Sequence, residues 1–382
     1  DEVGSRGLGD VYKRQCLILD KSLLEKNCLK VRKKCHELNT TLRPHVKTPK
    51  CIEIAKIALD NNIGPITVST LKEAEYFAQA GFKDILYAVS ITSKKTSRLN
   101  LIQEKFNCIV RIILDSVEVA ESLVHFSKLH NAEFEILIEI DCGEGRGGLS
   151  AKDKNIKEIS EVLNNCNETR LVGILTHAGH SYASNDQNEI SSIAKKEREE
   201  VLLAAKNVLK FNQDPPIISI GSTPTLLFSS ELNQISEIRA GIYMFWDLAQ
   251  ASRGVCKVED IAVTVLASVI SHNYEKKKII IDAGALALSK DTSANKYMPE
   301  AGFGLVCNPD TGVPFLDLNI AEIHQEHGAI NIKDKGWFDI LPIGSLVRIM
   351  PNHSCLTCAG FETYNILENN IINGSWNRIN GW

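Results

Sequence analysis

Eight short apolar runs, each separated from the next by room for a helix, constrain this chain more than any single residue does. They are 41–47, 65–69 (PITVS), 85–89 (ILYAV), 109–115 (IVRIILD), 135–140 (EILIEI), 171–177 (LVGILTH), 216–221 (PIISIG) and 237–242 (EIRAGI). Strands that alternate with helices imply right-handed crossovers and a parallel sheet. Eight such units within roughly 250 residues predict an α/β fold, a (β/α)8 TIM barrel. A doubly wound open sheet would need a glycine-rich fingerprint after an early strand, and none is present. Two helices can be placed from their ends. Leu24, Cys28, Val31, Cys35 and Leu38 form one stripe over 21–38, with Asp20 as N-cap. In STLKEAEYFAQAG, Thr70 and Glu73 form a capping-box pair and Gly81 sits at the C-cap.

After Gly254 the texture changes to short β-like runs broken by Gly, Pro and Asn: IAVTVLASVIS, KKKIIIDAG, GSLVRIMP and ETYNILENNIINGSW. The expected organisation is a barrel over 16–250 and a mostly β domain over 255–382, with the first strand at 16–19 free to join that domain. Residues 1–15, DEVGSRGLGDVYKRQ, have no period and no apolar face. They are expected to be a non-native or disordered leader and stand outside the fold argument.

A net charge of −4 gives no reason to expect nucleic acid or an anionic membrane as partner. No apolar run approaches the roughly 20 residues of a membrane helix. With no secretory signal visible and eleven scattered cysteines, the expected compartment is the cytoplasm, with the thiols reduced.

Barrel active sites lie at the C-terminal ends of the strands. Those ends here carry Lys47, Ser69, Asp141 with Arg146 beyond it, His177, Gly221–Ser222–Thr223 and Gly241. Lys47, in LRPHVKTPK, is expected at the inner rim, where loss of water favours the uncharged amine that condenses with an aldehyde. Lys50 is the rival lysine, and a surface lysine beside a turn is the plain alternative. GSTPT (221–225) and RAGIY (239–243) are neighbouring glycine turns after strands seven and eight, which suits a phosphate. Arg146, in DCGEGRGG, either faces a phenolate or carboxylate or pairs with Asp141. His177, His180 and Tyr182 lie together in THAGHSY. In PNHSCLTC, His353 and Cys355 are two apart, so on a strand both would share one face, and imidazole plus thiolate is a zinc-type pair. Cys358 is a candidate third ligand.

Taken together, RPHVKTPK, DCGEGRGG, THAGHSY, GSTPT, EIRAGIYMFWD, DAGALALS and PNHSC resemble the fold-type III pyridoxal-phosphate enzymes of the D-serine dehydratase and D-threonine aldolase group, which share their barrel with alanine racemase. The resemblance runs in order from about Cys16 to near residue 365. It implies Lys47 as the Schiff-base lysine. Gly221, Ser222, Thr223 and the Ile242–Tyr243 backbone would hold the phosphate, and Arg146 would approach the phenolic oxygen. His177 and Tyr182 would flank the ring, and His353 and Cys355 would bind a divalent metal, zinc by resemblance. The aldolases show His-x-Asp where this chain has His353 and Cys355. That difference favours β-elimination of D-serine to pyruvate and ammonia, with Lys47 as the base. D-Threonine aldol cleavage, dehydration of 3-hydroxy-D-aspartate and a non-enzymatic cofactor carrier are the alternatives. The resemblance also implies a homodimer. Three positions depart from the pattern: Pro49 replaces a usual histidine, Leu175 a tyrosine of some dehydratases, and Cys358 is not a usual residue of the group.

Overall fold

The computed structural model describes residues 15–382, so all but the last residue of the expected leader at 1–15 lies outside the described residues. Two compact units emerge from the contacts. One holds Leu29–Gly241 with Gly381–Trp382, the other the residues up to Cys28 with Ile242–Asn380. Among the described residues no helix is long and apolar enough to cross a membrane.

The chain enters through β1 (Cys16–Asp20) and a helix over Lys21–Glu37. Asp20 caps that helix by accepting the Leu23 amide at 3.0 Å. Leu24, Cys28, Val31 and Cys35 are buried, as the stripe predicts. Eight parallel strands follow: β2 (Thr41–Pro44), β3 (Ile66–Val68), β4 (Asp84–Tyr87), β5 (Ile109–Leu114), β6 (Phe134–Ile140), β7 (Thr169–Thr176), β8 (Ile217–Ile220) and β9 (Glu237–Ala240). They pair in the order β2–β9–β8–β7–β6–β5–β4–β3. A parallel bridge from His45 to Thr67 joins the two end strands, with the Val46 amide on the Thr67 carbonyl at 2.9 Å. All eight strands expected from the sequence are present, and they make the barrel.

Successive strand residues alternate between the two faces, so one residue in two points inward. The inward residues form three layers. At the N-terminal end Arg43, Asp84, Arg111, Glu135, Arg170 and Glu237 form a chain of ion pairs. Above it lies an apolar cluster of Leu86, Ile113, Leu137, Val172, Leu175 and Ile217. Polar groups return at the C-terminal end. A barrel interior is more usually filled with branched aliphatic residues throughout.

The short helix over Leu71–Gln79 starts as its sequence predicts. Thr70 accepts the Glu73 amide at 3.0 Å, while the Glu73 carboxylate takes the Ser69 amide at 3.0 Å, one residue earlier than the capping-box pattern requires. Gly81 follows with φ +95°.

In the other unit, β1 pairs antiparallel with β10 (Val263–Asn273) and parallel with a strand over Thr363–Glu368. Ile18, Leu266, Leu367 and Ile372 make a core cluster of that sheet. The last strand, Ile371–Asn377, returns from it through Asn369 and Asn370, both at positive φ, the conformation that tight hairpin turns demand. The strand Leu346–Met350 leads into the segment that carries His353 and Cys355.

Candidate functional site

In the barrel unit β2 ends at Pro44, so Lys47 sits in the turn beyond it rather than on the strand expected over 41–47. Its side chain is exposed, not desolvated as the rim position suggested. The rival lysine is accounted for. Lys50 Nζ lies 3.2 Å from Glu73, a carboxylate with no exposed surface. Among the described residues no carboxylate pairs with Lys47.

Lys47 stands among basic groups. His45 is pushed well below its usual pKa by burial first, then by Lys47, Arg239 and His177. His177 falls to about 3, again by burial, opposed by the Gly221 carbonyl and aided by Lys47, Arg239 and Arg146. Both imidazoles are therefore neutral at pH 7. Nδ1 of His177 lies against the Gly221 carbonyl, so it carries the ring proton and the ring orientation is fixed.

The turn after β8 has the features of an anion cradle. Gly221 has φ +151°, and a Cβ there would lie 2.1 Å from the Arg239 carbonyl, so only glycine fits. Ser222 caps the following turn, accepting the Thr225 amide at 3.2 Å, and its hydroxyl also meets that of Ser181 at 2.8 Å. Thr223 is fully buried, and its Oγ1 has no hydrogen-bond partner. A buried hydroxyl that has no partner among the described residues, beside a glycine turn, fits a phosphate oxygen. The Thr223 amide donates to the Tyr182 hydroxyl at 3.1 Å, so Tyr182 reaches this turn, with its ring centroid 6.4 Å from that of His177. These residues fit pyridoxal phosphate, the lysine for its aldehyde and the turn for its phosphate.

The glycine-rich loop folds around Asp141, which accepts the Gly143 amide at 2.8 Å and the Gly145 amide at 3.1 Å. The expected Arg146–Asp141 alternative is not formed. Arg146 is exposed and faces Glu144 at 3.7 Å.

Three further charges, two buried and one half-buried, are not singled out by any motif. Arg239 lies inside the barrel, donating to Ser219 at 2.5 Å and to the Thr176 carbonyl at 2.6 Å. Its signal was present: it stands two residues before Gly241, on the inward face of a barrel strand. Glu139, held by Ser90 at 2.9 Å, is pushed up by burial, with Asp115 adding to the effect. Glu197 is hidden in the charged run KKEREE on a helix.

In the other unit Ile242 and Tyr243 lie in a buried 3-10 turn over Ile242–Met244. His353 is the N-cap of a helical turn over Ser354–Cys358, so the pair is not on a strand. The two side chains still meet. Burial pulls His353 down, but hydrogen bonds to Asp291 and Cys355 reverse this and lift it to about 11. Nδ1 of His353 lies 3.3 Å from Asp291, a residue with no local sequence link to it. Asp247 accepts the Ser354 amide at 3.1 Å and steadies the turn. Cys358 is fully buried, and burial pushes its thiol to about 12, which suits a core thiol better than a third ligand. Among the described residues no three His, Cys, Asp or Glu side chains are grouped to hold a metal. His353 and Cys355 remain as a two-donor set of imidazole and sulfur, with a carboxylate behind the imidazole, and such a set fits a soft divalent ion with open positions.

A barrel of eight parallel strands with a mostly β unit in the same chain is the architecture of the alanine racemase-like class of pyridoxal-phosphate enzymes. Residues 19–248 match the alanine racemase N-terminal domain, and residues 262–367 match a serine dehydratase domain. The chain belongs to the fold-type III pyridoxal-phosphate lyases of the D-serine dehydratase and D-threonine aldolase family. It is 36% identical to a D-threo-3-hydroxyaspartate dehydratase of Delftia sp. (strain HT23), covering 96% of this chain and 97% of that one. It is 34% identical to a D-serine dehydratase of Dictyostelium discoideum, with 94% of each covered. The solved Delftia dehydratase superposes with a TM-score of 0.93 at 34% identity, over 98% of this chain and 100% of that one. Solved variants of a D-threo-3-hydroxyaspartate dehydratase replace a histidine and, two positions later, a cysteine by alanine. The cysteine variant is in a metal-free form and superposes with a TM-score of 0.94 at 34% identity, over 99% of this chain and 100% of that one.

Proposed function

We propose that this chain is a metal-dependent D-serine dehydratase, which converts D-serine to pyruvate and ammonia. The observation that carries this reading is the His353–Cys355 pair with Asp291 behind the imidazole. The pair has the same two-residue spacing as the histidine and cysteine replaced in the hydroxyaspartate dehydratase variants. Imidazole and thiolate favour zinc among the available divalent ions.

Pyridoxal phosphate, when bound, supplies the electron sink that lets a Cα–H bond ionise. Lys47 offers an exposed amine without a carboxylate partner, and we assign it the removal of the α-proton. Gly221 and Thr223 offer the phosphate a close backbone approach and an uncommitted hydroxyl, and Ser222 shapes the turn. His177, neutral and fixed by Gly221, presents a ring face without adding charge. Arg146 is exposed enough to swing to an oxyanion. His353 and Cys355 would hold the metal, which would supply Lewis-acid assistance to a leaving hydroxyl. Loss of the α-proton and the β-hydroxide makes a carbon–carbon double bond. The released enamine then takes up water and yields pyruvate and ammonia, so the overall reaction balances.

A second reading is dehydration of D-threo-3-hydroxyaspartate to oxaloacetate and ammonia, favoured by the 36% identity to the Delftia enzyme. A non-enzymatic carrier is disfavoured by the β unit and its His-x-Cys pair. We also propose a homodimer, as the family resemblance implies. The cytoplasm is the proposed compartment, consistent with eleven cysteines and no disulfide among the described residues.

The test is to incubate purified protein, pyridoxal phosphate and zinc with D-serine, D-threonine and 3-hydroxy-D-aspartate separately. Pyruvate from D-serine is expected. Oxaloacetate as the dominant product supports the second reading, and glycine with acetaldehyde would turn the assignment to an aldolase. His353→Ala should lose bound zinc by elemental analysis yet keep cofactor absorbance. Retention of zinc would refute the ligand assignment.

A further inference from the structure

The helix over Gln187–Ala205 buries one stripe: Ile190, Ala194, Glu197, Val201 and Ala204, at spacings of four and three. Four of these are apolar. The fifth is a carboxylate with no exposed surface, although Glu199, two residues on, is exposed. A buried carboxylate is costly unless its oxygens are satisfied, so its position calls for a reason.

Its contacts supply one. The Glu197 Oε1 accepts the Ala178 amide at 3.0 Å and the Gly221 amide at 3.0 Å. Ala178 directly follows His177, and Gly221 opens the turn that offers Thr223 Oγ1 without a partner. The Gly221 carbonyl, meanwhile, is met by His177 Nδ1. Gly221 is thus held at both its N–H and its C=O, once by Glu197 and once by the loop that Glu197 also holds. One oxygen on a rigid helix joins the loop after β7 to the turn after β8. Ser181 with Ser222, and the Thr223 amide with Tyr182, also cross between these segments, but Glu197 is the group that holds both from a separate helix.

We infer that Glu197 is the positioning residue that sets the phosphate turn and His177 in register for pyridoxal phosphate. The inference rests on the reading of this barrel as the cofactor site. Glu197 touches neither reacting atoms nor phosphate, and acts through the two amides it accepts.

The test titrates the apoprotein with pyridoxal phosphate and, separately, with pyridoxal, following visible absorbance of the lysine adduct. Glu197→Ala should weaken pyridoxal phosphate binding by about tenfold or more, the loss expected when two hydrogen bonds to a buried acceptor go. Pyridoxal, lacking the phosphate, should lose no more than about threefold. Glu197→Gln keeps an oxygen acceptor of the same reach and should restore phosphate-ester affinity to within about threefold of the unaltered protein. Should Glu197→Ala not fold, Glu197→Asp, one methylene too short to reach both amides, carries the same expectation. Unchanged pyridoxal phosphate affinity in the Ala or Asp variant overturns the inference and leaves the proposed function standing. Equal losses for both ligands, or a Gln variant as weak as the Ala variant, also overturn it. If the unaltered protein forms no adduct, the cofactor reading fails, and this inference with it.

Discussion

Both ends of the barrel carry charged residues, and they use them differently. At the N-terminal end every inward charge has a partner. Arg43 meets Glu237 at 2.7 Å and Asp84 at 2.7 Å, Arg111 meets Glu135 at 2.9 Å, and Arg170 meets Glu135 at 2.9 Å. At the C-terminal end the pattern is one of groups left uncommitted. Lys47 is exposed, His45 Nδ1 and Thr223 Oγ1 have no partner, and two histidines are held neutral. A closed network stabilises and does little chemistry, because each charge is already neutralised by its neighbour. Unpaired buried groups weaken a fold, and they persist where a ligand completes them. The contrast is what the proposed site at the C-terminal end of the barrel rests on.

The comparison can be broken at four points. Lys47→Ala should reduce pyruvate formation from D-serine by about a thousandfold, the middle of the range for loss of a positioned base. It should also abolish the borohydride-trapped cofactor adduct in peptide mapping, whereas alanine at any lysine of the N-terminal end should not. Arg43→Ala should do the reverse. It strands Glu237 and half of Asp84's pairing, and urea titration should record a loss of about 3–5 kcal/mol, with pyridoxal phosphate affinity little changed. A stable Arg43→Ala protein would show that the network is not structural.

The two ends should also respond to acid in different windows. His45 and His177 bind a proton less tightly in the folded chain than in the unfolded one. The unfolded chain therefore holds more protons below about pH 6.5. Apoprotein stability should fall as pH drops from there toward about 3, with a slope of up to about 1.4 kcal/mol per pH unit for each residue. Asp84 has the opposite displacement. Its pKa is lowered: burial raises it, but Arg43 and Arg111 more than offset that. Its contribution is present above about pH 4 and is lost only below it. Urea midpoints at pH 7, 5 and 3.5 separate the two, since Asp84→Asn should remove only the decline below pH 4. A flat profile from pH 7 to 5 contradicts the neutral-histidine picture. The smallest effect belongs to Arg170→Ala. That side chain is 42% exposed, and its pair should contribute no more than about 1 kcal/mol by the same titration.

Legibility in the sequence followed locality. The helix over Lys21–Glu37, its Asp20 cap, the Thr70 cap and the eight strands were readable because each depends on residues within a few positions of one another. The turn at Gly221 was readable for the same reason, since a glycine before two hydroxyl residues after an apolar run is a local pattern. The failures lie where partners come from far along the chain. His353 and Cys355 were expected to share a strand face and instead meet across a helical turn, backed by Asp291 from 62 residues earlier. Arg146 was offered Asp141 as a partner, but the loop amides took that carboxylate first. Glu197 lies in the charged run KKEREE, and only its place on a buried helix stripe sets it apart from its neighbours.

Amino-acid order by itself determined the alternation of strand and helix, the inward face of each strand, and therefore which residues could line the barrel. Periodicity and capping are short-range, and hydrophobic burial makes them binding. Tertiary structure decided which of those inward groups are neutralised and which are left waiting. That outcome depends on distances between strands that are remote in sequence, and on how much water each group loses when the barrel closes.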